Sequence, residues 1–313
     1  MGLGIYTESQ EKRRLSGTIE KRGTQTGTPT LGMFLFGLPF VGVGIFVALT
    51  GLKVVPTNPA SVHGPYWLLV AFGAVFALGG LMLWGMAGKQ FRANRRRVLS
   101  RENHVNDPAL EDYPWDPRGY HSHCWTKTAK WLGGAGFLSL FLSMFNWWAW
   151  FAPGPWPVKI IVSLFDVILV FVWWQAAMTL SRAIRFGDSR IEFVGFPYRA
   201  NGPIRIRWIT PRGITRAEKG TFTLRCIKEW TETTGVGENR SQDVIHEAQW
   251  SGVWTLDHAE NFPEGNSIEL TFQPTAALPV TSLSGKATVY WELEIALSLP
   301  GPDFRETYLV PVY

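Results

Sequence analysis

The basic run Lys89–Arg101, which directly follows a long apolar segment, constrains this chain more than any other stretch. The apolar segment, Tyr66–Gly88, carries no charged residue. As a helix it is long enough to cross the roughly 30 Å hydrocarbon core of a bilayer. Cytoplasmic ends of transmembrane helices are enriched in Lys and Arg. The two segments together therefore predict a membrane-spanning helix whose C-terminal end lies in the cytoplasm.

The composition supports the same class of protein. The chain has 313 residues, with 16 Trp, 20 Phe and a formal charge of +5. Trp is enriched where membrane helices meet the interface, and much of the positive charge lies beside apolar segments. Because helix orientation accounts for that charge, we expect no nucleic-acid partner. The two cysteines form no CxxC pair, which argues against a zinc ribbon and a disulfide framework.

Four apolar segments predict four transmembrane helices, at Leu31–Leu52, Tyr66–Gly88, Trp131–Ala152 and Ile160–Ser181. Short links join the first to the second and the third to the fourth, so the helices form two hairpins. Arg182 and Arg185 mark the inner end of the fourth helix. The predicted regions are a cytoplasmic N-terminal arm (1–30), a first hairpin with its basic extension (31–101), a cytoplasmic loop (102–130), a second hairpin (131–185) and a cytoplasmic β domain (186–313).

Two polar residues in the second hairpin are predicted to lie at one depth, Asn146 and Asp166, since each is about six residues from the shared outer turn. A carboxylate inside a membrane is costly and often functional. Ion binding or proton movement is therefore one interpretation. The alternative is an Asp that is hydrogen-bonded within the bundle, which we favour because one acid without further protonatable groups makes no pathway. Gln175, nearer the inner face, is predicted to bond across helices.

Several arginines are candidates for contact with anionic lipid headgroups or with a partner. They lie in the basic run and at the start of the β domain, at Arg92, Arg95, Arg96, Arg97, Arg205 and Arg207. Ordinary solvated surface is the competing interpretation of the last two.

The cytoplasmic loop contains His121, His123 and Cys124, whose side chains are common ligands of transition metals. Adjacent His and Cys residues rarely close a tetrahedral site by themselves. Packing within the loop is therefore the preferred interpretation, and no cofactor is expected.

After residue 186 the pattern changes to short alternating segments separated by turns that contain Gly and Pro. This pattern predicts an antiparallel β-sandwich of the immunoglobulin-like or arrestin-like kind. No GxSxG, HExxH or P-loop motif occurs, so we expect no enzyme. The predicted strands are Arg190–Phe196, Ile204–Thr210, Thr221–Trp230, Glu247–Leu256, Ser267–Gln273, Ala287–Leu297 and Glu306–Val312.

The stretch FPEGNSIELTFQPTAALPVTSLSGKATVYWELEIAL, followed by DFRETYLVPV, resembles the strand, proline-turn and long-strand pattern of arrestin-like sandwiches. The matching positions are Gly265, Phe272, Pro274, Pro279, Ser282, Tyr290 and Trp291. The segment Leu35–Phe46 of the first span and the loop that contains Pro114 and Trp115 also fit this comparison. The whole layout is similar to that of a family of bacterial multi-pass membrane proteins of unknown function. The resemblance implies an architecture and a bacterial inner membrane, with both termini cytoplasmic, and it implies no catalytic residues.

These features predict a non-enzymatic integral membrane scaffold or adaptor. Its cytosolic β-sandwich is expected to bind a protein partner or a larger membrane complex, and its helices to contact membrane lipid. Glycines of the first span are expected to allow close helix packing, and the Gly-rich first two spans are expected to associate with a second copy of the chain or with a larger membrane complex. The alternative is a small transport or ion-handling subunit that uses Asp166 and Asn146.

Overall fold

The structure, a computed structural model, describes residues 3–15, 22, 30–57, 65–103, 108–151, 156–214, 216–234, 241–256, 258–274, 278–283 and 287–313. The chain divides into two compact units. The helical unit comprises Thr28–Arg95 and Thr126–Thr179. The β unit is built from three separate stretches of the chain, Met1–Gly27, Arg96–Trp125 and Leu180–Tyr313.

The described residues form five helices: α1 (Thr30–Gly51), α2 (Tyr66–Asn103), α3 (Pro108–Asp112), α4 (Cys124–Phe151) and α5 (Trp156–Phe186). The basic run Lys89–Arg101 continues α2 without a break, so that this helix has 38 residues. At 1.5 Å per residue α2 is about 57 Å long, nearly twice the thickness of a hydrocarbon core. Its C-terminal part therefore exceeds the length needed for a span.

Three of the described helices are long and apolar enough to cross a membrane, over Leu31–Gly51, Tyr66–Arg92 and Trp156–Phe186. Many of their large apolar side chains are exposed, for example Val170 at 70% in α5. Water-soluble bundles bury such residues, whereas lipid solvates them. The fourth predicted span lies in α4, which has 28 residues but also Lys, Ser and Asn side chains. The predicted count of four is thus met for three helices by length and composition.

Glycines hold α1 against α2 in an antiparallel pair. A Cβ atom added at Gly44 would lie 2.4 Å from the Ala77 backbone nitrogen, and one at Gly73 would lie 2.4 Å from that of Ala48. Small residues allow such close approach of membrane helices. Trp84 Nε1 also donates a 3.0 Å hydrogen bond to the Phe34 carbonyl oxygen. The packing role predicted for the glycines of the first span is therefore seen at Gly44.

Polar contacts join α4 to α5. Asn146 Nδ2 donates to Asp166 Oδ1 at 2.8 Å, and Trp173 Nε1 donates to Ser139 Oγ at 2.9 Å. The Thr128 hydroxyl donates to the carbonyl oxygen of Thr179 at 3.2 Å. The two helices therefore run antiparallel with their polar side chains turned toward each other.

The β unit consists of two antiparallel sheets. Sheet A has the order β1-β7-β6-β9-β10, with β2 also paired to β7, and sheet B has the order β3-β4-β5-β8. The strands are β1 (Leu3–Ser9), β2 (Arg13–Arg14), β3 (Gly119–His121), β4 (Arg190–Phe193), β5 (Ile204–Ile209), β6 (Lys219–Thr234), β7 (Ser241–Leu256), β8 (Ser267–Phe272), β9 (Thr288–Ser298) and β10 (Phe304–Val310).

The inner faces of the two sheets share one hydrophobic core. Trp208 of β5 is fully buried, and its ring centroid lies 5.7 Å from that of Phe222 in β6. Strand β9 shows why the sequence forms this layer: Trp291, Leu293 and Ile295 alternate along it and are all fully buried in the core. The prediction of antiparallel β-sheets after residue 186 is confirmed, and each of the seven predicted segments overlaps an observed strand.

The sandwich also takes strands from segments that the sequence analysis set apart from it. Strands β1 and β2 come from the N-terminal arm, and β3 comes from the loop between α2 and α4. Strand β1 pairs with β7, and the Trp250 Nε1 group donates a 2.6 Å hydrogen bond to Glu8 Oε1. Edge strands of this kind depend on distant partners rather than on local propensity, which is why their sequences gave no signal.

The loop between α2 and α4 packs on the outer face of sheet A. Trp115 is buried in a second apolar cluster with Ile227 and Tyr290. Its Nε1 group donates to the Tyr313 hydroxyl at 3.1 Å, and Asp112 Oδ2 accepts the Leu283 N–H at 2.7 Å. These contacts place Trp115 of the loop against the β unit.

The glycine contacts give a prediction with an internal control. Gly44→Ala should destabilise the folded protein by about 1–3 kcal/mol, because the new methyl group meets backbone atoms that cannot move aside easily. Gly42→Ala should be neutral or stabilising, since a Cβ atom there meets nothing within 4 Å and alanine favours the helix. Thermal unfolding of the two variants in detergent measures the difference. Equal melting temperatures would contradict the proposed packing.

Candidate functional site

A polar cleft with a volume of about 480 Å³ lies at one end of sheet B. Its charged side chains are of both signs. They lie among apolar groups and backbone from the end of α5, the turn after β5 and the turn before β8. The polar and aromatic side chains that line it include His121, Trp125, Asp188, Arg190, Arg212 and Glu264.

The floor of the cleft is set by strand register. His121 in β3 lies directly opposite Arg190 in β4, and Arg190 lies opposite Ile209 in β5. Directly opposed residues of an antiparallel pair point to the same face, with Cβ atoms about 5 Å apart. The imidazole and the guanidinium group therefore stand side by side on one face of sheet B.

The wall of the cleft is built from two turns tied to Thr210. Its N–H donates to the Asn266 carbonyl oxygen at 2.9 Å, and its carbonyl oxygen accepts the Gly265 N–H at 2.9 Å. The Thr210 hydroxyl also donates to the carbonyl oxygen of Pro263. These bonds hold the turn that carries Glu264 beside the turn that carries Arg212.

Gly187 lets the Arg212 side chain reach the end of α5. Its φ is +67°, the left-handed conformation that commonly ends a helix, and its N–H donates to the Ala183 carbonyl oxygen at 2.9 Å. A Cβ atom at Gly187 would lie 3.6 Å from Arg212 Nε. The Arg212 side chain therefore passes over the C-terminal end of α5 at Gly187.

Asp188 joins the end of α5 to the beginning of α4. Its Oδ1 atom accepts the Cys124 backbone N–H at 2.9 Å and the Cys124 thiol at 3.1 Å. Beneath it, the Ser122 and Ser189 hydroxyls are 2.9 Å apart, and the Ser189 and Tyr308 hydroxyls are 2.5 Å apart. This buried chain of hydrogen bonds fixes the inner edge of the cleft.

The charged side chains of the cleft are available to bind a ligand. Arg190 makes one exposed ion pair, with Glu192 at 3.6 Å. Arg212 and Glu264 form no ion pair with any described residue, so both keep their hydrogen-bonding capacity for a ligand. The cleft thus offers separate cationic and anionic groups within one cavity.

His121 lines the cleft. The Cys124 thiol donates a hydrogen bond to Asp188, and the His123 side chain is exposed. Among the residues described, no three His, Cys, Asp or Glu side chains converge on a point that could hold a metal ion. Burial, followed by the hydrogen bond to Asp188, raises the pKa of the Cys124 thiol to about 12. A metal-binding thiolate is therefore disfavoured here, and the metal hypothesis gains no support.

The predicted basic contacts are dispersed. Arg92 and Arg95 are exposed on α2, whereas the side chains of Arg96 and Arg97 lie outside the described residues. Arg207 forms a 3.6 Å ion pair with Glu192 and lies opposite Glu269, so its charge is largely balanced. Arg205 is exposed on the same face of sheet B. Their assignment to lipid or to a partner stays a prediction.

Within the helical unit, Asn146 and Asp166 lie level and bond to each other, in agreement with the count from the shared turn. Gln175 is half-buried, and its side chain forms no hydrogen bond with the described residues. The interhelical bond predicted for Gln175 is therefore not seen.

Strands β6 and β7 extend past the rest of sheet A as a two-stranded ribbon, here called the β6–β7 ribbon (230–234 and 241–245). Pairing of β6 with β9 ends at Glu229, and pairing of β7 with β2 ends at Glu247. Beyond these points the two strands pair with each other, and no other described strand pairs with them. Trp230 faces Ile245 across the ribbon, and both are incompletely buried.

Sequence reasoning missed Asp188, Arg190 and Glu264 as members of a site. The Gly187–Asp188 pair after an apolar helix was a usable signal, since Gly often ends a helix. The pairing of His121 with Arg190 was not accessible, because it depends on a strand drawn from a different part of the chain.

No family model and no curated protein matches the sequence. Among solved structures, the chain is similar to the sporulation control protein Spo0M from Bacillus subtilis, with a TM-score of 0.26 and 14% identity. The match covers 39% of this chain and 47% of that structure, so it spans about half the length of the neighbour. The two-sheet architecture therefore stands on the strand pairing described above.

Both cysteines should resist thiol reagents in the folded protein. Cys124 and Cys226 are buried, and burial raises the pKa of Cys226 to about 12 as well. At pH 7.5 each thiol stays protonated and shielded, so a maleimide should label neither within minutes and both after denaturation in dodecyl sulfate. Mass spectrometry of the intact protein counts the adducts. Rapid native labelling of Cys124 would show that its bond to Asp188 does not persist.

Proposed function

We propose that this protein is a non-enzymatic membrane adaptor whose arrestin-like β-sandwich, on the cytoplasmic side of a bacterial inner membrane, binds a protein partner. The observation that carries the proposal is the β6–β7 ribbon. It holds backbone hydrogen-bonding edges on both sides that no described strand occupies. Exposed strand edges recruit other strands, and natural proteins usually cover or charge them unless they serve in recognition.

The side chains of the ribbon support recognition of a protein. Trp230 and Ile245 form an incompletely buried apolar pair, while Glu232 and Asp243 lie directly opposite each other nearer the tip. Like charges in opposed positions destabilise the pairing of two strands. Arg14 forms a 3.5 Å ion pair with Glu232, which compensates the charge of Glu232 but not that of Asp243. An apolar pair beside an acidic tip suits a partner strand with basic and apolar residues.

Strand pairing supports four membrane spans in place of three. Strands β1, β3 and β4 all belong to the β unit, so the residues before α1, between α2 and α4, and after α5 lie on one side of a membrane. An even number of crossings must therefore separate β3 from β4. If α5 crosses the membrane, α4 must cross it too, although its composition is less apolar.

A transport or ion-handling role for Asp166 and Asn146 is the second candidate, and their 2.8 Å hydrogen bond is the observation that favours it. The same bond has a simpler use, because it pairs two polar groups that would otherwise be costly in a membrane. Asn146 Nδ2 also lies 3.4 Å from the Leu142 carbonyl oxygen of its own helix. The adaptor role is therefore preferred.

The topology is testable with single cysteines in a background that carries Cys124→Ser and Cys226→Ala. Gln10→Cys, Arg118→Cys and Thr231→Cys place exposed thiols in the three stretches that form the β unit. All three should react with a membrane-impermeant maleimide only after the cells are permeabilised. Opposite behaviour of the Arg118 and Thr231 positions would mean an odd number of crossings and would refute the four-span arrangement.

The ribbon is testable by photo-crosslinking in cells. A photoreactive residue at Asp243, which is exposed on the face shared by Trp230 and Ile245, should give one discrete protein adduct. The double change Trp230→Ser and Ile245→Ser should abolish the adduct, because the apolar contact is lost. The control position is Thr221, which is exposed on β6 within sheet A. Identical adducts from both positions, or an adduct that survives the double change, would reject the ribbon as the binding surface.

A further inference from the structure

We propose that residues Arg13–Leu15 of the N-terminal arm are a latch on the edge of β7, and that a partner strand of basic and apolar residues displaces this latch when it binds. This assignment rests on the proposed adaptor function and gives the β6–β7 ribbon both a partner chemistry and a means of regulation. Three features of the arm carry it: firm attachment through β1, slight attachment through β2, and the side chains that the latch presents to sheet A.

Strand β1 attaches the arm firmly to the sandwich. The ring centroid of Tyr6 lies 5.1 Å from that of Trp254 in β7 and 6.3 Å from that of Phe272 in β8, so this side chain contacts both sheets. The fully buried Trp250 donates from Nε1 to Glu8 Oε1 at 2.6 Å. Removal of β1 would leave this buried N–H group without its acceptor, which is costly.

The latch, in contrast, is held by few contacts. Strand β2 (Arg13–Arg14) has only two residues, both exposed, and it pairs with residues 247–248 of β7. One further backbone bond follows, from the Leu15 N–H to the His246 carbonyl oxygen at 2.9 Å. Short, exposed pairings open locally at a small fraction of the free energy of global unfolding. The latch can therefore leave β7 while β1 stays in place.

The side chains of the latch show what this part of the β7 edge accepts. Arg14 lies directly opposite Glu247 and forms a 3.5 Å ion pair with Glu232 of β6. Leu15, which faces the other way, packs against the apolar cluster that includes Tyr290. The edge thus takes a basic residue on one face and an apolar residue on the other. Neither contact depends on a covalent link to the rest of the chain, so a strand of another protein can make both.

Opening of the latch lengthens the available edge. The part of β7 that no other described strand occupies except β6 grows from residues 241–245 to residues 241–248. The longer edge accommodates a strand of ordinary length, about five to six residues, with room to spare. Alternation places Asp243, Ile245 and Glu247 on one face of this edge. A bound strand would therefore meet two carboxylates with an apolar residue between them.

This edge specifies the sequence of its partner. A strand antiparallel to β7 should carry basic residues opposite Glu247 and Asp243 and an apolar residue opposite Ile245, because directly opposed residues share a face. A second apolar residue, opposite His246, takes the place of Leu15. In chain order the expected pattern is basic, apolar, apolar, any residue, basic.

The synthetic peptide Thr-Arg-Leu-Ile-Thr-Arg-Thr has this pattern and serves as the probe. Fluorescence anisotropy of the labelled peptide measures its affinity for the full-length protein in a neutral detergent. Arg14→Glu should tighten binding about three- to tenfold, because loss of the ion pair with Glu232 opens the latch more often. A peptide with glutamate in place of both arginines should not bind.

Lys12→Glu is the matched control for charge. It makes the same change of charge close by, at an exposed residue that forms no ion pair with any described residue. Peptide affinity should therefore stay within about twofold of that of the unaltered protein. Thermal unfolding of each variant verifies that it is folded.

A disulfide can hold the latch closed. In the background with Cys124→Ser and Cys226→Ala, the pair Arg13→Cys and Ala248→Cys joins directly opposed residues and keeps the acidic residues of the edge. The oxidised protein should bind the peptide at least about tenfold more weakly than the same protein after reduction, since the closed latch excludes the strand. Equal affinity of the two forms would reject the latch.

A second cysteine pair tests whether β1 stays attached. Ser9→Cys and Ser251→Cys are also directly opposed, at the end of β1. Saturating peptide should slow formation of the disulfide at the latch and leave the rate at β1 unchanged. Equal slowing at both places would mean that the whole arm leaves, and would overturn the division into a firm and a slight attachment.

The partner chemistry and the adaptor function fail in different experiments. Equal affinity for the arginine and glutamate peptides, or no binding of the arginine peptide to the Arg14→Glu protein, would reject the proposed partner strand. Both results come from purified protein and need no cellular partner. Absence of any adduct from Asp243 in cells would instead count against the adaptor function itself.

Discussion

The antiparallel pairing of β3 with β4 is the interaction on which the rest of the structure depends. It joins the residues between α2 and α4 to those that follow α5, with His121 opposite Arg190 and Gly119 opposite Glu192. A Cβ atom at Gly119 would lie 2.0 Å from the Ile191 carbonyl oxygen, so only glycine allows this approach. The pairing adds the edge strand of sheet B, brings His121 to the cleft and underlies the proposed even number of membrane crossings between the two segments. One short strand thus links the fold of the sandwich to the topology of the helices.

The sequence predicted those features that arise from local pattern. Apolar length located the helices, and alternation located seven of the strands, because burial imposes a period of 3.6 or 2 on a chain that packs against one core. The glycines of α1 were also interpretable, since close helix approach needs small residues wherever the partner lies. Asn146 and Asp166 could be matched because a tight turn fixes the register of two antiparallel helices.

The remaining features depend on contacts between distant parts of the chain. Nothing in the residues of β1 reveals that Glu8 will accept a hydrogen bond from Trp250, which is buried some 240 positions later. The cleft has the same character, since Arg212 and Glu264 become neighbours only when Thr210 ties their turns together. The length of α2 was predicted only in part: the basic run was interpreted as an extension of the second span, and in the structure it continues the same helix to 38 residues.

The weak apolar character of α4 follows from its pairing with α5. Composition alone takes no account of neighbouring helices, so the polar residues Ser139 and Asn146 argue against a membrane span in α4. In the folded hairpin these side chains are not left to lipid, because Ser139 accepts from Trp173 and Asn146 donates to Asp166. When two polar groups form a hydrogen bond to each other, the free energy needed to transfer them from water into the membrane becomes much smaller. A helix can therefore cross a membrane with its partner while its composition alone argues against it, which is how α4 would form the fourth span of the proposed arrangement.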